Sequence, residues 1–172
     1  MLNYRMLIIN IVFFTFIAGC AGGSKYGGSE IPDWVLNPKS ADGSLVAAGC
    51  ADWTGSLSLD RKIALAKARS DLAQQIKIKI QGVDKIYAKK ENNQAAQNVF
   101  ESVSEQITDS TLQNVKVEKV ETLTIDKKKQ LCTLVKIDKQ QSKTMFRSIV
   151  KASALAINAD EEEKLYNQFT AF

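Results

Sequence analysis

From Pro32 onward the apolar and polar positions switch between two periods, and the switches mark the elements. Leu45 to Ala51, LVAAGCA, is a short apolar run bounded by Asp42-Gly43 and by Asp52 to Gly55, a length that predicts a buried strand. Ser58 then stands as the N-cap of a long helix, with Asp60 in its first turn. In that helix Leu65, Leu72, Ile76, Ile80 and Val83 keep to one stripe, with Ala68 and Arg69 bridging the gap in it. Residues 76–80 read IKIKI, a strand-like alternation, yet they continue the i, i+4 ladder without a turn before them and are assigned to the helix. The polar stretch 89–94, KKENNQ, interrupts the pattern. A second helix follows, in which Val99, Val103, Gln106 and Ile107 are spaced by three or four, and Asn114 ends it.

Two strands come next. VKVEKVETLTI, residues 115–125, alternates strictly at its start, and QLCTLVKI, residues 130–137, is more apolar; the charged residues Asp126 to Lys129 form the hairpin turn between them. A helix over 140–156 carries Met145, Ile149, Ala152 and Ala156 on one side. The tail 158–172 holds a short helix capped by Asn158 or Asp160, with Leu165, Phe169 and Phe172 at i, i+4 and i+7. The order strand, helix, helix, strand, strand, helix predicts an α+β fold: a three-stranded antiparallel or mixed sheet with helices packed on one face, plus the C-terminal helix.

Ahead of this domain the chain has a different character. The apolar run from Met6 to Ala18 is thirteen residues long, whereas about 20 are needed to span a bilayer. Arg5 before it and the small Ala18 and Gly19 behind it give the layout of a secretory signal peptide. Ile17-Ala18-Gly19-Cys20 resembles the lipobox of bacterial lipoproteins, whose cysteine thiol takes a diacylglycerol and becomes the mature N-terminus. The resemblance implies lipidation of Cys20 and, because Ala21 rather than Asp follows, export to the outer membrane. The next stretch, AGGSKYGGSE, has four glycines within seven residues and reads as a flexible tether. The expected organisation is a signal peptide over 1–19, a lipidated tether over 20–31, and a single domain over 32–172. Trp34 is placed where the tether joins the core, either in a plain packing role or in contact with a neighbouring subunit.

Composition narrows the chemistry. The net charge of +4 is spread along the chain, too mild to argue for nucleic acid. Histidine is absent, which removes the commonest general base and neutral metal ligand. Asp160 to Glu163 is the one acidic cluster; adjacent carboxylates in a helix point different ways, and negative charge in a first turn needs no catalytic reason. No enzyme activity, cofactor or metal is expected. After lipidation uses Cys20, Cys50 and Cys132 remain, both in predicted strands of an exported protein. They bridge if the first and last strands are neighbours, and otherwise are two buried apolar thiols. The tail stripe likewise has two readings: folding back on its own domain, or docking Leu165, Phe169 and Phe172 on a neighbouring copy.

A lipobox, a Gly-rich tether, Pro32-Asp33-Trp34-Val35, a strand ending in Gly49-Cys50-Ala51, the helix with Ala64, Ala66-Lys67-Ala68-Arg69 and Leu72-Ala73, and the strand with Cys132-Thr133-Leu134-Val135 stand in one order. In that order the chain resembles the FlgP family of flagellar outer-membrane lipoproteins, to which the Helicobacter surface lipoprotein antigen is related. The resemblance implies a structural, periplasm-facing module that assembles with its own copies into a ring or disk around the flagellar rod. Its partners would be flagellar ring or stator-associated proteins, and its process motility. The antigen branch implies an alternative, a surface-exposed binding module of adhesin type.

Overall fold

A computed structural model describes residues 25–26, 29–91, 94–153 and 157–171. In chain order they form β1 (Lys25–Tyr26), β2 (Ser29–Glu30), the single turn α1 (Asp33–Leu36), β3 (Leu45–Asp52), α2 (Leu57–Glu91), α3 (Gln94–Gln113), β4 (Lys116–Ile125), β5 (Lys128–Ile137), α4 (Lys139–Ala152) and α5 (Ala159–Ala171). From β3 onward this is the expected order, and the fold is α+β. The main sheet has the order β3-β5-β4 and is antiparallel throughout. The signal peptide, Cys20, Ala156 and Phe172 lie outside the described residues. The expected tether over 20–31 is not uniformly loose: β1 and β2 pair antiparallel within it, and Ile31 is buried.

The sheet is pinned to α2 at one point. A Cβ placed on Gly49 would lie 2.3 Å from the backbone nitrogen of Ala68 and 2.5 Å from the carbonyl oxygen of Ala64. Strand and helix backbones therefore touch, and only glycine facing two alanines, both fully buried, allows it. From this contact the buried face of α2 climbs in steps of four: Asp60, Ala64, Ala68, Leu72, Ile76 and Ile80. Each step turns the stripe by about 40° relative to the helix axis, so it winds through about 200° between Asp60 and Ile80. The winding lets one helix pack first on β3 and β5 and then against α3 and α5. It also settles the IKIKI stretch: Ile76 and Ile80 are buried, while Ile78, which a strand would place beside them, is 64% exposed.

The remaining helices close the same face. Phe100 and Leu112 of α3, Met145, Phe146, Ile149 and Val150 of α4, and Leu165, Tyr166 and Phe169 of α5 join Leu45, Ala47, Val135 and Ile137 of the sheet in one core. Several local expectations shift. The helix expected to be capped by Ser58 begins at Leu57, where Asp60 instead reaches back to the loop. In α3 the buried line is Phe100, Ser104, Thr108 and Leu112, and Gln106 is exposed. In α4 Ala152 is exposed, and Ser142, Phe146 and Val150 join Met145 and Ile149 inside. The β4–β5 turn tightens to Asp126 and Lys127, with φ of 48° and 65°, the left-handed pair that a two-residue hairpin of the strand twist requires. Capping boxes start α4, with Asp138 and Gln141, and α5, with Asn158 and Glu161.

The two edges of the sheet are protected in different ways. On β3, Lys67 Nζ donates to the Cys50 carbonyl at 2.9 Å and Gln75 Nε2 to the Val46 carbonyl at 3.4 Å. β4 carries a bulge between Val117 and Lys119 and two ion pairs along its length, Lys116–Glu118 and Lys119–Glu121. The strand contact yields a direct expectation. Gly49→Ala overpacks two backbones that cannot swing aside, so we expect a loss near the upper end of the roughly 1–3 kcal/mol usual for such insertions. Thermal denaturation should place the melting point roughly 10 °C below the parent.

Candidate functional site

Cys50 and Cys132 are directly opposed across β3 and β5, with Cα atoms 4.1 Å apart, and are joined by a disulfide. The strand order decides this pairing: β5 lies between β3 and β4, so the first and last strands of the sheet are neighbours. The spacing is that of a non-hydrogen-bonded pair. Accordingly the Cys50 carbonyl points outward and is taken by Lys67. Alternation puts the bridge on the face away from the core formed with the helices. Trp34 packs on that back face too: Lys119, in register with Leu134, holds its ammonium 5.1 Å from the Trp34 ring centroid. The ring is half-buried, and its indole N–H finds no acceptor among the described residues. The loop from α1 to β3 is fastened by Asp42, which accepts from Ser40, the Ser44 backbone and Lys136 Nζ, the last at 2.9 Å. These donors hold its carboxyl well below the usual carboxylate range.

Of the two readings of the tail stripe, the structure takes the fold-back one at Leu165 and Phe169: Leu165 is 8% exposed and Phe169 fully buried, so their own domain covers them and the alternative that these two dock on a neighbouring copy is corrected. The reason lies in α4, whose Phe146 completes an aromatic cluster with Tyr166 and Phe169, ring centroids 5.4–6.2 Å apart. The Tyr166 hydroxyl donates to the Lys139 carbonyl at 3.2 Å, tying α5 to the start of α4. The acidic cluster serves the same docking. Glu161 caps α5, Glu162 pairs with Arg147 at 2.8 Å, and Glu163 pairs with Lys143 at 2.7 Å. Hydrogen bonding from Lys143 lowers the Glu163 pKa.

Sequence reasoning missed a cleft of about 630 Å³ between α2 and α3. Ala73, Ile80 and Phe100 are among its apolar lining residues, and Lys77 and Glu105 bridge its rim at 3.1 Å. Ser104 and Thr108 line it as well. Ser104 donates to the Phe100 carbonyl at 2.6 Å, whereas the buried Thr108 hydroxyl has no partner among the described residues. The ladder Phe100, Ser104, Thr108, Leu112 was the available signal, hidden because two of its members are polar. Charges of both signs surround the cleft, so it selects no ligand class. Among the described residues no group of three or more His, Cys, Asp or Glu is placed to hold a metal ion, and no helix is long and apolar enough to cross a membrane.

Two measurements check these assignments. Intact mass under non-reducing conditions should show Cys50 and Cys132 as one bridge; with a sequence separation of 82, its removal by Cys132→Ala should cost about 4.5 kcal/mol on the loop-closure estimate. Phe169→Ala should cost roughly 3–5 kcal/mol in chemical denaturation, the behaviour of a core residue, where a residue serving only assembly would leave the monomer's stability unchanged.

A family model described as LPP20 lipoprotein matches residues 32–138, from just before α1 to the Asp138 cap of α4. No curated protein and no solved structure matches the chain. The matched span holds Trp34, the whole of the main sheet with its Cys50–Cys132 bridge, and the α2–α3 pair, more than half of the 172 residues. The chain belongs to the LPP20 lipoprotein family.

Proposed function

We propose that the protein is a structural lipoprotein, anchored in the outer membrane through acyl chains on Cys20, facing the periplasm and assembling with its own copies into a ring or disk scaffold of the flagellar motor. The observation that carries the anchor is Ile17-Ala18-Gly19-Cys20 at the end of a thirteen-residue apolar run, in a chain of a lipoprotein family. Burial of one acyl chain holds a protein only marginally, whereas the several chains of a bacterial lipoprotein hold it permanently. The flagellar assignment is supported by the likeness to FlgP in the order of short motifs from Pro32 to Val135. In this reading the domain works as a rigid body and not as a catalyst, with Glu161, Glu162 and Glu163 engaged in capping and ion pairs. Trp34, half-buried on the back face, and Phe172, outside the described residues, remain candidates for contact with a neighbouring subunit.

Deleting the gene should abolish or sharply reduce spreading in soft agar and remove a ring-shaped density beneath the outer membrane at the motor. Normal swimming with unaltered motors would sink the flagellar role. Protease treatment of intact cells separates this from the surface-antigen alternative. A periplasm-facing scaffold stays protected until the outer membrane is opened; a surface-exposed binding module is digested at once.

A further inference from the structure

One end of the domain combines exposed apolar groups with exposed cations. The β3–α2 loop and the β4–β5 turn meet there: the Trp53 backbone N–H donates to the Lys129 carbonyl at 2.9 Å, and Lys129 Nζ sits 4.4 Å from the Trp53 ring centroid. The first turn of α2 is locked to the same loop. Asp60, fully buried, accepts from the Thr54 backbone at 3.0 Å and from its hydroxyl at 2.7 Å. Leu57 and Leu59 are therefore held at this end in fixed positions, yet they are 58% and 49% exposed, and Ile63 one turn on is 38% exposed. Single exposed apolar side chains are ordinary; here Leu59 and Ile63, four apart, share one side of α2, Leu57 stands at its first residue and half-buried Trp53 lies in the loop before it, so four apolar groups gather at one end.

The charge around the patch has a sign. Arg61, Lys62, Lys127, Lys128 and Lys129 are all exposed. Of the nearby carboxylates, Asp60 is internal and bonded to Thr54, and Asp52 accepts from Gln130 at 3.2 Å, which leaves Asp126 as the other exposed one. The positive end of the α2 dipole adds to this field. Leucine, tryptophan and lysine at one rigid end are the composition of a surface that lies in a bilayer interface, with aromatic and aliphatic groups at headgroup level and cations on lipid phosphates.

We propose that this end is a second membrane contact, docking on anionic phospholipid. The proposal rests on the lipid-anchor reading. A tether of about eleven residues has a mean span of roughly 17–20 Å, and the β1–β2 pairing shortens it. An anchored domain therefore always has the bilayer within reach, and an affinity too weak to recruit a free protein suffices once binding is intramolecular. The contact fixes which end of the domain faces the leaflet.

The test uses the full lipoprotein reconstituted in liposomes containing brominated acyl chains. The chain has two tryptophans, so Trp34→Phe leaves Trp53 as sole reporter and Trp53→Phe leaves Trp34. Flotation with the liposomes reads the anchor; quenching reads the docking. In anionic liposomes we expect Trp53 emission to fall at least twofold while Trp34 emission is unchanged. Lys127→Glu with Lys128→Glu should restore at least half of the lost signal without changing the melting point. Protein that floats with Trp53 unquenched overturns the docking and leaves the anchor standing. Quenching that is equal in neutral liposomes and indifferent to the charge reversal overturns the recognition of anionic lipid. Protein that fails to float contradicts the anchor and, with no surface held in reach, the contact built on it.

Discussion

The structure depends on the place where β3 and α2 lie backbone to backbone. Gly49 has Ala64 and Ala68 where a side chain would otherwise stand, and that contact sets the distance between sheet and helix layer for everything that follows. Larger residues at any of the three positions would lift the helix, opening the layer in which Leu72, Val135, Ile149 and Phe169 interlock. The same contact fixes the rotation of α2, and the four-residue ladder then carries its buried side around the axis until it meets α3 and α5. A single helix thus packs on both the sheet and the other helices.

This winding explains what could and could not be read from the chain. A fixed stripe through Leu72, Ile76, Ile80 and Val83 found the second half of α2 correctly, because large apolar residues mark it. In the first half the ladder is made of Asp60, Ala64 and Ala68, residues that declare no inward face, so Leu65 was the visible choice although it is only partly buried. The α3 ladder was obscured in the same way by Ser104 and Thr108. Strands were easier: LVAAGCA and QLCTLVKI are bounded by turn residues, and the left-handed turn at Asp126-Lys127 pulled Lys128 and Lys129 into β5.

The candidate site was legible where chemistry is local and obscure where it depends on topology. The Cys50–Cys132 pairing followed once the last strand was known to run down the middle of the sheet, a fact no periodicity contains. The stripe of Leu165 and Phe169 was visible, but its destination was decided by the size and place of Phe146, which belongs to the preceding helix and stands 5.4 Å from Phe169 in space. Helical patterns announce that a face must be covered; which surface covers it is a property of the whole core.

The edges of the sheet, one with carbonyls taken by side chains and the other bulged and charged, carry a consequence for how copies of this chain can associate. An antiparallel sheet grows by accepting a strand from another molecule along unpaired amides and carbonyls. Here the outer carbonyls of Val46 and Cys50 are already taken by Gln75 and Lys67, and the opposite edge is bent by its bulge and lined with alternating charge. Continuation of the sheet from one molecule into the next is blocked at the first edge and disfavoured at the second. A crowd of such domains held on one membrane, at the high local density that lipid anchoring imposes, can therefore touch without fusing into fibrils, and any order among them must come from side-chain surfaces that read shape and charge.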